Sequence, residues 1–173
     1  MAIAINFVQY DSAPPFTNAQ EVPILDWGTA TPGSTSDLTH RQALGLRIQG
    51  QSVQNIKVWL DGDTVDLYPQ GQPAQLQQSF SGSGFGLQAL RIDGTSQAAR
   101  DLAVSVYEHA DLSGWSTLGT SEAAALPLGD ARIGPAMDTF SDVFGLAITV
   151  PSLASPTDVN NFRLMASFDT LDD

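Results

Sequence analysis

Hydrophobic and polar positions alternate most clearly between Leu38 and Val65. Leu44, Leu46 and Ile48 fall on one face of an extended segment, while Ala43, Gly45, Arg47 and Gln49 fall on the other. Period-two alternation of this kind predicts a half-buried strand. After the break Gly50-Gln51-Ser52 the pattern returns, with Ile56, Val58 and Leu60 opposite Asn55, Lys57, Trp59 and Asp61. A turn signal follows at Asp61-Gly62-Asp63, and the two runs are expected to be neighbouring antiparallel strands.

The rest of the chain repeats this theme. Ile3, Ile5 and Phe7 alternate with Ala4, Asn6 and Val8 and predict an opening strand. Residues Asp11 to Asp37 contain Pro14, Pro15, Pro23, Pro32 and Gly33 around an apolar insert of Val22, Ile24, Leu25 and Trp27. A helix cannot propagate through so many prolines, so the segment reads as an extended arm or a loop laid over a sheet edge. Either Ile24 and Trp27 tuck into the chain's own core, or the arm packs on a neighbouring subunit. A short strand is expected over Thr64 to Tyr68, then an exposed Gln-rich and Gly-rich loop over Gln70 to Gly86. Strands are expected again at Leu87 to Ile92 and around Leu102, Val104 and Val106, with at most one helical turn between Gly94 and Ala99.

Ser121 to Leu128 is the segment expected to be a helix, with Ser121 as N-cap and Pro127 as terminator. Asp130 to Phe140 is ambiguous. Val143 to Val150 is apolar on both faces, as in the middle of a sheet covered on both sides. Asn161 to Asp169 places Phe162, Leu164, Ala166 and Phe168 opposite Arg163, Met165 and Ser167. Eight or nine strands with little helix predict an all-β fold, a β-sandwich or jelly roll of mostly antiparallel strands in one domain over 1–173.

Composition narrows the function classes. The chain has 7 basic and 19 acidic residues, a net charge of −12, and its basic side chains are scattered rather than clustered. Phosphate neutralisation needs clustered Lys and Arg, so no nucleic-acid partner is expected, and anionic membranes would repel the chain. The absence of cysteine excludes disulfides, a thiolate nucleophile and thiolate zinc sites. The opening residues lack the basic start and long apolar run of a signal peptide, and no run of about 18 apolar residues could span a bilayer. The chain is expected to be soluble and made in a cytoplasm.

Candidate chemistry is sparse. His109 and Asp111 would share a face if extended, as two metal ligands or a base and its orienter would, but a solvated strand-end histidine explains the same residues. His40 reads as a hydrogen-bonded edge residue. Asp61, Asp63 and Asp66 resemble part of a calcium loop, although Gln72 stands where the bidentate Glu should be; a plain turn is the other reading. Gly82-Ser83-Gly84 matches neither a nucleophile elbow nor a phosphate loop. Trp27, Trp59 and Trp115 with Tyr68 and Tyr107 form either a sugar-stacking platform or core and interface filling. No enzyme, metal or cofactor is expected from this set.

The strand pair containing Asn55-Ile56-Lys57-Val58-Trp59-Leu60, and the final strand containing Asn160-Asn161-Phe162-Arg163-Leu164, lie in an acidic, cysteine-free chain. In this style the chain resembles the small virion proteins of tailed bacteriophages. The resemblance implies a non-enzymatic capsid decoration (cement) protein located in the virion, or a tail, collar or baseplate component. It also implies a homo-oligomer, a trimer among the options, bound to a capsid or tail protein. Partner contacts are expected at Pro14, Pro15, Phe16, Ile24, Trp27 and Trp59. A carbohydrate- or receptor-binding β-sandwich is the reading from another class, and a calcium-stabilised adhesion domain a third.

Overall fold

A computed structural model describes residues 3–11, 14–22, 41–60, 86–92, 96–109, 112–119, 121–132, 138–149 and 163–171. Ten strands are described: β1 (Ala4–Tyr10), β2 (Gln20–Glu21), β3 (Gln42–Gln49), β4 (Val53–Leu60), β5 (Gly86–Ile92), β6 (Ser116–Thr117), β7 (Leu126–Ala131), β8 (Asp138–Phe140), β9 (Val143–Thr149) and β10 (Leu164–Thr170). The helix α1 (Gln97–Glu108) lies between β5 and β6. All strand pairs are antiparallel. The larger sheet runs β2-β1-β3-β9-β5-β6 with β8 also on β3, and the smaller runs β10-β4-β7. The expected all-β sandwich is therefore present, with two very short strands raising the count.

The expected pairing of the two central strands is wrong. β3 belongs to the larger sheet and β4 to the smaller. The link Gly50-Gln51-Ser52, with Gly50 at φ +97, turns a corner between sheets instead of closing a hairpin. A hairpin would leave both greasy faces on the same side of one sheet. The corner instead sets Leu44, Leu46 and Ile48 of β3 against Val53, Ile56, Val58 and Leu60 of β4 in one core, completed by Leu128, Ala131, Phe144 and Leu146. Burying these side chains, at about 25 cal/mol per Å² of apolar surface, drives the two sheets together.

A second core lies on the other face of the larger sheet, where Ala43, Ile92, Val143 and Ala147 meet Phe16, Tyr107 and Trp115. This face is covered by α1, where strand was expected. Ser96 caps the helix by accepting a hydrogen bond from the Ala99 amide at 3.2 Å. Ala103, Val104, Val106 and Tyr107 face the sheet with helical spacing. Leu102 points into water at 68% exposure, so its alternation with Val104 and Val106 was a coincidence of a helical face. β9, with both faces covered, occupies the middle of the larger sheet as its apolar run predicts.

The helix expected over Ser121–Leu128 is also corrected. Only a 3₁₀ turn forms, over Glu122–Ala124, and the Ser121 side chain makes no capping bond. Pro127 stands too close for the turn to lengthen, and the chain continues as β7, where an edge position tolerates its missing amide. The ambiguous stretch contains the end of β7 and all of β8. The expected strand over Thr64–Tyr68 and the Gln-rich loop up to residue 85 lie outside the described residues.

Candidate interaction surface

The smaller sheet presents one face to the core and one away from it. Along β4, Ile56, Val58 and Leu60 are buried, so the intervening Lys57 and Trp59 point outward and are half-buried. Trp59 stands directly opposite Met165 of β10, and Lys57 opposite Ser167 and Pro127. Directly opposed side chains on adjacent strands have Cβ atoms about 4.5–5.5 Å apart, close enough for the indole and thioether to share a contact surface. Met165 is 40% exposed and Phe168 36%. Ser167 donates a hydrogen bond to the Glu122 carboxylate at 2.8 Å, which ties the 3₁₀ turn to β10.

Register keeps this surface in place. Between the pairs Lys57↔Ser167 and Gln54↔Asp169, β4 advances one residue more than β10, so the extra residue of the bulge belongs to β4. Asn55 sits there at φ 53, a left-handed conformation that Asn tolerates better than most side chains. Its amide donates to the Asp130 carboxylate at 3.1 Å and its Nδ2 to the Asp169 carboxylate at 2.8 Å, bridging both neighbouring strands. β10 itself runs without interruption.

At the start of the proline-rich segment Asp11 is tied to Thr17 and Asn18. Asp11 accepts from Asn18 Nδ2 at 2.7 Å and from Thr17 Oγ1 at 3.3 Å, while its own amide donates to the Thr17 carbonyl at 3.0 Å. Pro14 is half-buried, Pro15 is exposed, and Phe16 turns inward at φ 57. The Phe16 ring meets Tyr107 edge-on, with centroids 5.1 Å apart, so this member of the expected contact set packs in the chain's own core. Ile24, Trp27, His40, Asp61, Asp63, Asp66, Tyr68 and Asp111 lie outside the described residues.

The remaining aromatic candidates surround a buried arginine. Tyr107 stacks on Trp115 at 5.7 Å, and the Arg41 guanidinium lies 5.3 Å from the centroid of the same indole. Trp115 is thus a core residue rather than part of a surface platform. Arg41, 1% exposed, donates from Nη1 to the Tyr107 carbonyl and, at 2.8 Å, to the His109 carbonyl. The last turn of α1 contains no basic residue, so Arg41 brings the positive charge that a helix C-terminus favours. His109 is the C-cap of this helix, not the end of a strand. The sequence shows Arg41 as one of seven scattered basic residues, and only its position next to an apolar strand hints at burial.

Burial pushes the Tyr107 phenol up to about 12, opposed by the nearby Arg41 charge. Burial also raises Tyr10, with Arg100 pulling the other way. Both shifts follow from packing around α1 rather than from a proton-transfer partner. Among the described residues no group of three His, Asp or Glu side chains could hold a metal ion, and no helix is long and apolar enough to cross a membrane. No protein-family model, curated protein or solved structure matches the chain. The outward face of the smaller sheet brings Trp59 and Met165 opposite each other on adjacent strands.

Proposed function

We propose that this chain is a non-enzymatic assembly protein of a viral particle, a capsid decoration protein that docks through the outward face of its smaller sheet. The observation carrying this reading is the Trp59–Met165 pair on that face. A large aromatic beside a flexible thioether, ringed by the polar Lys57, Ser167 and Glu122, has the composition of a protein contact with an apolar centre and a polar rim. The acidic, cysteine-free sequence and its likeness in style to small phage virion proteins support the particle as the setting. Fluorescently labelled protein mixed with purified tailed-phage heads should co-sediment and saturate at fixed stoichiometry, and Trp59→Ser should abolish this. Protein that stays in the supernatant at every concentration refutes a docking role on heads. Gold-labelled protein seen at the tail instead would assign it to a tail or baseplate position.

Trp59 also favours a second reading. A half-buried indole on a flat sheet face is a surface on which the apolar face of a sugar can stack. Glycan-array binding lost in Trp59→Ala would support carbohydrate recognition, and an indole emission unchanged by every glycan would remove it.

A further inference from the structure

The sheet edges among the described residues are not equivalent. An edge strand offers unpaired amides and carbonyls to any other strand, and proteins blunt this with short strands, proline, lysine or bulges. The larger sheet ends in β2 and β6, each two residues long, and β8, which pairs with β3 beside that path, has three. In the smaller sheet, β7 contains Pro127, and between its pairs Gly129↔Ile56 and Pro127↔Lys57 it advances one residue more than β4. Gly129, at φ +76, marks that bulge. β10 differs on every count. It is seven residues long, contains neither proline nor lysine, keeps its regularity because the neighbouring bulge belongs to β4, and among the described residues pairs with β4 alone.

We propose that β10 is a self-pairing edge, joining a second copy of this chain antiparallel about a two-fold axis at Ala166 and merging two three-stranded sheets into one of six. The register is chosen by charge and chemistry. With Ala166 opposite its own copy, Arg163 falls opposite Asp169, Leu164 opposite Phe168 and Met165 opposite Ser167. An isologous interface makes each such contact twice. Opposite charges across strands stabilise the pairing, and the apolar pair shields Phe168, now 36% exposed. Two chains of net charge −12 repel at long range, so local pairing of Arg163 with Asp169 fixes both position and direction. The outward faces become continuous, bringing two Trp59–Met165 pairs onto one surface. This deepens the proposed docking role, because a dimer presents that surface twice to a repetitive lattice.

The test uses the intact chain in solution, without particles. Light scattering after size exclusion should give twice the 18.3 kDa chain mass. Arg163→Asp and Asp169→Arg should each weaken dimerisation at least about tenfold, and the double charge swap should restore it. Circular dichroism melting of each variant separates lost association from lost folding. In this cysteine-free chain, Ala166→Cys should oxidise to an intermolecular disulfide, since opposed Cα atoms of paired strands lie about 4.5–5.5 Å apart. Leu102→Cys, exposed on α1, should cross-link far more slowly. A monomeric wild type, a folded dimer indifferent to both single reversals, or equal cross-linking rates at the two cysteines overturns the proposal. A β10-paired dimer that ignores phage heads leaves the edge intact and refutes only the docking role.

Discussion

Arg41 and Tyr107 show how one charged side chain is accommodated inside an apolar layer. The guanidinium is taken out of water, a step that is costly unless its donors are satisfied. The Tyr107 and His109 carbonyls at the end of α1 accept from its Nη1 and the Trp115 face lies beneath it, while its buried Nε meets no acceptor among the described residues. Tyr107 reports on this environment, because its phenol is held up to about 12 by burial. In the unfolded chain the phenol ionises near 10. Folding therefore loses nothing from Tyr107 below pH of about 10. Between about 10 and 12 only the unfolded chain releases the proton, so stability falls over that window and levels off above it. Absorbance titration at 295 nm should show a tyrosine component ionising near 12 in the folded protein, and Tyr107→Phe should remove that component. A Tyr107 that titrates near 10 in the folded protein would contradict this packing.

At the scale of elements, the contact between α1 and the larger sheet depends on a gap in β9. A Cβ on Gly145 would lie 2.8 Å from the Trp115 ring and 2.9 Å from Tyr107, so the missing side chain is what lets both aromatics reach the backbone. Gly145→Ala should cost about 1–3 kcal/mol of unfolding free energy in urea and reduce the near-ultraviolet dichroism of Trp115. An unchanged midpoint would mean that the aromatics do not press on β9. Most strands were legible in the sequence because a sheet with one buried face writes period-two alternation into it, as in β1, β3, β4 and β10. β9 was legible through the opposite sign, an apolar run on both faces. The helix was misread because Leu102, Val104 and Val106 alternate by accident, and because only Ser96, a small polar residue after a glycine-containing break, announces its start. Strand pairing was not legible at all. A three-residue link is compatible with a hairpin or a corner, and the alternation is the same in both. Of the candidate contact residues, Trp59 could be placed from parity alone, whereas Phe16 lies in a loop where no periodicity indicates direction.

For the whole molecule, charge imbalance opposes compactness. A net charge of −12 on 173 residues produces self-repulsion, and Arg91 with Asp142 and Arg47 with Glu21 are ion pairs that relieve it only locally. Raising sodium chloride from about 10 mM to about 150 mM shortens the screening length from about 30 Å to about 8 Å. The thermal midpoint should rise by a few degrees over that range in a calorimetric scan. A midpoint that falls with salt would mean that attractive pairs outweigh the global repulsion.

The corner between β3 and β4 also governs how the chain must find its shape. Because these successive strands do not pair with each other, Gln42 waits for Leu146 and Leu60 for Leu164, so each ladder closes a loop of roughly a hundred residues, the situation in which folding is slow. No fragment cut before β9 contains a complete partner set for either layer, and such a fragment should collapse without acquiring protected amides in hydrogen exchange. Refolding from denaturant should accordingly be a late, cooperative event in which β3 and β4 gain protection together with β9 and β10 rather than ahead of them.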